Sequence, residues 1–384
     1  MKTKVLTIFS CMLIMALLAS CAFSTARDIP AAVEPEAPQN YIIIGQIEPA
    51  PPAPPRPDPI RPENPATIAR DTSVSVREAE HGYIAMGYIK YMNDNLYGRT
   101  AFSYRELEAA MWITEQLLAM GYTWDEIEVQ QFSWEDVYGW VWDPWEVVVD
   151  VRDFFRGFPS REGRLSQNVI LTVPGQSEQV IVVGAHYDSF PYPGASDNAS
   201  GVALLLESAE RMRYQDNYYT IVYVFFGAEE IGIVGAEFFL DSLSDEQRDA
   251  IAFMVNADVL FEGPYPLYAA GYSMGVGIQP QANAITRRVD AIAREIYDIY
   301  DIGIGVFPNG IFWTTDHVPF VEAGHTVVVF AGLYVDSDGR LHPRVLHTSR
   351  DCIHYINENW PGKAEHAMRT YSIFLERILL DSYL

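Results

Sequence analysis

"VIVVGAHYDSF", residues 180–190, decides how the chain is read. Val180 to Ala185 is an unbroken run of apolar and small residues, largely β-branched. A strand with one wet face alternates polar and apolar side chains; a strand without alternation is buried on both faces. The run stops at His186, and Asp188 follows after a single spacer. A buried strand that ends in an imidazole and a carboxylate has two readings. One is a satisfied polar pair in the core; the other is a metal ligand with its neighbour. A lone His-x-Asp does not choose between them.

Outward from this strand the chain alternates in type. "SYRELEAAMWITEQLLAMGY" (103–122) carries apolar residues at helical spacing, with Gly121 as its stop signal. "NASGVALLLESAERM" (198–212), "GAEFFLDSL" (235–243) and "NAITRRVDAIAREIYDIY" (283–300) read as helices. "YTIVYVFFGAEE" (219–230), "AIAFMVNADVL" (250–260) and "HTVVVFAG" (325–332) read as strands. Apolar strands alternating with helices predict an α/β fold, a three-layer sandwich with a mostly parallel, mixed central sheet flanked by helices. Residues 69–384 then form one domain, within the size range of single α/β domains.

In such sheets ligands bind outside the carboxyl ends of the strands. The ends here carry His186 and Asp188, then Glu229-Glu230, then Asp258, with Asp197 just before a helix and His347 after the last strand. Singly each has a structural explanation. An Asp before a helix is ordinarily an N-cap, and paired glutamates at a turn are ordinarily solvated. Together, two histidines and three carboxylates suit a pair of divalent ions, with zinc the default. The remaining glutamate is then available as general base toward a water.

The chain's ends and charge narrow the class further. Net charge is −25, which repels nucleic acid and excludes it as a partner. Lys2 and Lys4 precede an apolar stretch, Val5–Leu18, too short for a comfortable membrane span, and Leu18-Ala19-Ser20-Cys21 follows. This resembles a bacterial lipobox. It implies a signal peptide over residues 1–20, lipidation at Cys21, and an envelope protein held to a membrane outside the cytoplasm. Residues 21–68 contain "EPAPPAPPRPDPIRPENP", which predicts an extended, proline-stiffened tether. "YIII" (41–44) is its apolar patch.

Six motifs stand in order: "GAHYDS", "GASDNASGVALLLE", "FFGAEEIGIVGAEFF", "NADVL", "TDHVPF" and "LHTSRD". In order and spacing they resemble the M28 family of co-catalytic zinc aminopeptidases. The resemblance runs from about residue 85, where "LYGRTAFS" fits the start of the domain, to the end. It implies a zinc aminopeptidase-like (phosphorylase/hydrolase-like) fold and two zinc ions per chain. His186 and Asp258 would hold one ion, Glu230 and His347 the other, and Asp197 would bridge them. Glu229 would be the general acid/base. Asp188 would accept the other ring proton of His186. Asp351 would support the site, and Asp316-His317 would support it or face substrate. The implied activity is removal of N-terminal residues from peptides with a free α-amino group. Two rivals stand beside it: a glutaminyl cyclase-like enzyme with one zinc, and a surface lipoprotein that captures peptides without catalysis. The remaining histidines (81, 325, 342, 354, 366) read as surface or satisfied core residues. "FEGPYPLYAAGYSMGVG" (261–277) and "GIFWTTDH" (310–317) are expected to line the substrate pocket. Oligomeric state is not legible.

Overall fold

The stretch that opened the reading forms the inner half of β3 (Ser177–His186), in the middle of an eight-stranded sheet. The computed structural model describes residues 75–137, 164–263, 265–271, 282–306, 314–332 and 345–384. The chain divides into units Met1–Asp58 and Pro59–Leu384, and every described residue lies in the second. The leader, Cys21, the tether with its 41–44 patch and His342 therefore lie outside the described residues.

The strands run β1 (Ile127–Ser133), β2 (Leu165–Val173), β4 (Tyr219–Phe226), β3, β5 (Ile251–Ala257), β8 (Thr326–Ala331), β6 (Leu267–Ala270), β7 (Gly305–Val306) across the sheet. The four central strands, β4, β3, β5 and β8, are mutually parallel. β1 and β2 add antiparallel neighbours on one side, and β6 pairs antiparallel with β8 on the other. The predicted mostly parallel, mixed sheet is thus present.

Side-chain parity shows why both faces are apolar. Ile181, Val183 and Ala185 of β3, with Ile221, Tyr223 and Phe225 of β4, enter the larger core. Val182, Val224, Phe226 and Met254 enter the smaller one on the opposite face. Helices α1 (Tyr83–Asn95), α2 (Tyr104–Ala119), α3 (Ser200–Met212), α5 (Ala284–Tyr300) and α7 (Lys363–Leu379) contribute to the larger core. α4 (Val234–Ser242) and the short helix Val318–Glu322 cover the smaller. α3 packs tightly: a Cβ at Gly201 would stand 2.4 Å from the Ala257 carbonyl oxygen at the end of β5.

Of residues 261–277, expected to line the pocket, 264 and 272–277 lie outside the described residues. Leu267–Ala270 is strand β6, and Tyr268 is buried with its hydroxyl donating to Asp290. α3 begins at Ser200, and Asp197 sits before it in a kinked turn with φ −118° and ψ 90°, so the N-cap explanation for Asp197 falls away. Asn198 braces the start of α3, its Oδ1 accepting from the Gly201 N–H and its Nδ2 donating to Ala257 O. Finally, "LSQNVILTV" (165–173) is a strand that the reading passed over.

Candidate metal centre

Every predicted ligand lies at the carboxyl edge of the parallel strands. His186 ends β3, and Glu229-Glu230 follow β4 by two residues. Asp258 follows β5 directly. Asp197 approaches from the turn before α3, and His347 from the turn that precedes α6 (Ile353–Asn359). Parallel strands end together, so residues 72 positions apart, His186 and Asp258, become neighbours.

The separations define two half-sites. His186 Nε2 stands 3.2 Å from Asp197 Oδ1 and 3.3 Å from Asp258 Oδ1. His347 Nε2 stands 3.1 Å from Asp197 Oδ2 and 3.3 Å from Glu230 Oε2. Glu229 Oε2 lies 4.0 Å from His186 Nε2, with its side chain 13% exposed. Asp197 thus presents one oxygen to each histidine. Each Nε2 faces two carboxylate oxygens, and a single N–H cannot point at both. Two ligands about 2.0–2.1 Å from a tetrahedral zinc stand about 3.3–3.4 Å apart, so a shared cation fits each trio better than a hydrogen bond does. His186, Asp197 and Glu230 have ligand atoms within 4.8 Å of one another. Glu230 Oε1 is buried and has no hydrogen-bond partner among the described residues.

Charge in the group is unbalanced without cations. Burial pushes the Glu229 carboxyl well above the usual range; His186 pulls it down, while Asp316, Glu230 and Asp258 add to the rise. Glu230 is pushed up to about 7, chiefly by burial and the charge of Asp197. Desolvation lowers the proton affinity of both imidazoles, but the facing carboxylates outweigh it and raise both well above their ordinary value. Asp197 goes the other way. Burial opposes its ionisation, yet His186 and His347 hold it well below the usual carboxylate range. Cations bound here would offset the carboxylate charge that raises these proton affinities.

Buried groups outside the ligand set hold the ligand turns. Asp351 accepts from the backbone N–H of Ser196 (2.6 Å) and of Asp197 (3.0 Å). Asp188 lies with its Oδ1 3.4 Å from His186 Nδ1, but its own backbone carbonyl is nearer to that nitrogen, at 3.2 Å. Its carboxylate also accepts from the Glu229 and Glu230 N–H groups, at 3.0 and 3.2 Å. The resemblance implied the first contact and missed the second. Asp316 and His317 are buried beside the centre, at the start of the short helix over Val318–Glu322. Asp316 carries an unpartnered carboxylate among the described residues and feels the charges of His186 and Asp258.

Arg99 was missed altogether. It is fully buried, and its guanidinium donates to the carbonyls of Tyr187, Leu96, Pro193 and Gly194. It thereby fixes the loop between His186 and Asp197. Burial lowers its pKa to about 10, partly offset by Asp351, Asp188, Asp197 and Glu230. Its only sequence signal was its place in "LYGRTAFS".

An α/β sheet that gathers histidines and carboxylates at the carboxyl edge of its strands has the layout of a metal-binding enzyme site. The sequence profile of peptidase family M28 matches residues 168–372, more than half of the chain, and the protein belongs to that family. A leucine aminopeptidase 1 from Pyrenophora tritici-repentis is 28% identical over 243 residues, 58% of this chain; the chain spans 57% of that relative. A zinc aminopeptidase from Bacillus subtilis shares the fold with a TM-score of 0.58 at 17% identity, over 80% of this chain and 95% of that one. A glutaminyl cyclase from an Acidobacteriales bacterium shares it with a TM-score of 0.56 at 19% identity, over 78% of this chain and 93% of that one. One fold thus carries both enzyme names, so the site must separate them.

Proposed function

We propose that the protein is a metallo-aminopeptidase with two zinc ions per chain. The observation that carries this is Asp197, whose two oxygens stand 3.2 and 3.1 Å from two different histidines. One ion needs no such bridge. His186, Asp258 and Asp197 would hold one ion, and His347, Glu230 and Asp197 the other. When bound, the ions supply Lewis acidity toward water and the scissile carbonyl.

The remaining steps belong to the chain's own residues. Glu229 stands 4.0 Å from His186 Nε2 and is not needed as a ligand. Its raised proton affinity suits a group that takes a proton from the attacking water and returns it to the leaving amine. Asp188 and Asp351 hold the turns that carry Glu229, Glu230 and Asp197. Asp316 and His317 would support the pocket or meet substrate, and the acidic surroundings favour an N-terminal ammonium. Cys21 would carry the lipid that anchors the domain in the cell envelope.

Three measurements test this reading. Metal analysis is expected to give two zinc ions per chain. Aminoacyl-arylamides should be cleaved and their N-blocked counterparts spared. One zinc with pyroglutamate formation from glutaminyl peptides would overturn the reading in favour of the cyclase. For the anchor, labelled palmitate should enter the protein and be lost in Cys21→Ser.

A further inference from the structure

Glu106 lies three residues into α2, behind N-cap Ser103, whose hydroxyl accepts from the Glu106 N–H. That spacing predicts a capping box, with the glutamate reaching back to the Ser103 N–H. It does something else. The Ser103 N–H goes to Thr100 O, and Glu106 Oε2 accepts instead from the Phe102 N–H at 2.5 Å. Glu106 Oε1 accepts from the Ala228 N–H at 2.9 Å and from Ser166 Oγ at 2.8 Å. The side chain is buried, and the three donors come from α2's entry, β2 and the turn after β4.

Ala228 immediately precedes the Glu229-Glu230 pair and has φ +57°, as Phe102 has φ +60°. The left-handed region disfavours alanine and phenylalanine, so each needs an anchor. Three consecutive N–H groups, of residues 228, 229 and 230, end on two buried carboxylates: the first on Glu106, the next two on Asp188. The turn cannot rotate without breaking all three bonds.

We propose that Glu106 is a positioning residue, which aims Glu229 and Glu230 by holding the Ala228 turn. It touches neither substrate nor metal ligand side chain. The inference rests on the di-zinc reading, since it concerns the same turn. An ionised carboxylate only accepts, and three donors converge on it; burial and the charge of Asp188 raise its proton affinity, and the hydrogen bonds from Ser166, Phe102 and Ala228 oppose that rise. A glutamine would set its own NH₂ against the Phe102 or the Ala228 N–H.

The test uses the purified protein and its Glu106→Gln variant. Cobalt(II) is added to the metal-free protein and followed by visible absorption and calorimetry. The variant is expected to bind about 10- to 100-fold more weakly at the Glu230–His347 half-site, with the His186–Asp258 half-site unchanged. Activity should fall through kcat, with KM unmoved. Hydrogen exchange at the amides of residues 228–230 should quicken. A variant that loses thermal stability but keeps the parent's cobalt spectrum, affinity and exchange has a merely structural Glu106, and the inference fails. If Glu106→Gln does not fold, Ser166→Ala removes one donor without stranding an N–H; it should weaken the same half-site in the same direction, and no change there also refutes the inference. A parent that binds no metal removes the di-zinc reading alone, because the exchange rates of Glu106→Gln, or of Ser166→Ala where that variant stands in, still decide whether Glu106 holds the turn.

Discussion

The two half-sites have the same chemistry and different settings. His186 belongs to a strand end inside the core and is fully buried. Its partner Asp258 follows the neighbouring parallel strand. His347 sits on a turn with φ +56°, its side chain 39% exposed, stacked on Phe190 at 3.9 Å between ring centroids. One histidine is placed by the sheet, the other by a loop. On the proposed di-zinc reading the sheet half should be rigid and hold its ion tightly, and the loop half should exchange first.

Glu229→Gln should give the largest effect, because on the proposed mechanism it removes the proton carrier while leaving both half-sites intact. A loss of about 10²- to 10⁴-fold in kcat is expected with both ions retained, by steady-state assay and metal analysis. Full activity in that variant would end the mechanism.

The comparison itself is broken or kept by the two histidines. His186→Ala leaves Asp197, Asp258 and Asp188 facing one another in the core. A loss of about 3–5 kcal/mol is expected in denaturant unfolding, with metal lost from its half-site. His347→Ala should unfold near the parent midpoint and retain one ion per chain. Equal losses in the two variants would show that the settings do not matter.

Metal removal adds a pH dependence with a definite sign. Glu230 is raised to about 7 in the folded chain, so between the ordinary glutamate range and about 7 only the folded state keeps this proton. Stability of the metal-free protein therefore falls as pH rises through that window. The raised histidines extend the fall above their ordinary value near 6.5. Asp197 acts oppositely, since its depressed value costs stability only as pH drops below the ordinary aspartate range. The Tm of the metal-free protein should decline from about pH 5 to 8, whereas zinc-loaded protein gains relative to it over the same range because binding releases protons. Parallel Tm curves for the two forms would contradict this.

Phe190→Ala should give the smallest effect. Losing an aromatic stack worth about 0.5–1.5 kcal/mol should weaken the loop half-site by roughly 2- to 10-fold and leave the sheet half-site alone, by competitive chelation.

Much of this was legible in the chain. Val180–Ala185 had no polar alternation, so a two-faced buried strand followed, and with it the layered fold and the edge to search. The carboxylates and His186 lay at that edge because strand ends are local features. Strand β2 was not legible, because Ser166, Gln167 and Asn168 open it and are buried in it; polar residues in a row read as loop. β6 is four residues in a stretch rich in Gly, Pro and Tyr, and it is a strand only because β8 lies beside it.

By itself the sequence determined the apolar layers, the order of the elements and the residue types at the strand ends, since periodicity and composition are written along one dimension. The tertiary structure alone decided which oxygen of Asp197 faces which histidine, that Arg99 ties down the loop before Asp197, and that Glu106 reaches Ala228, 122 residues away. No local pattern encodes those pairings. They exist because folding sets distant polar groups beside buried charges, which are costly to bury unpaired.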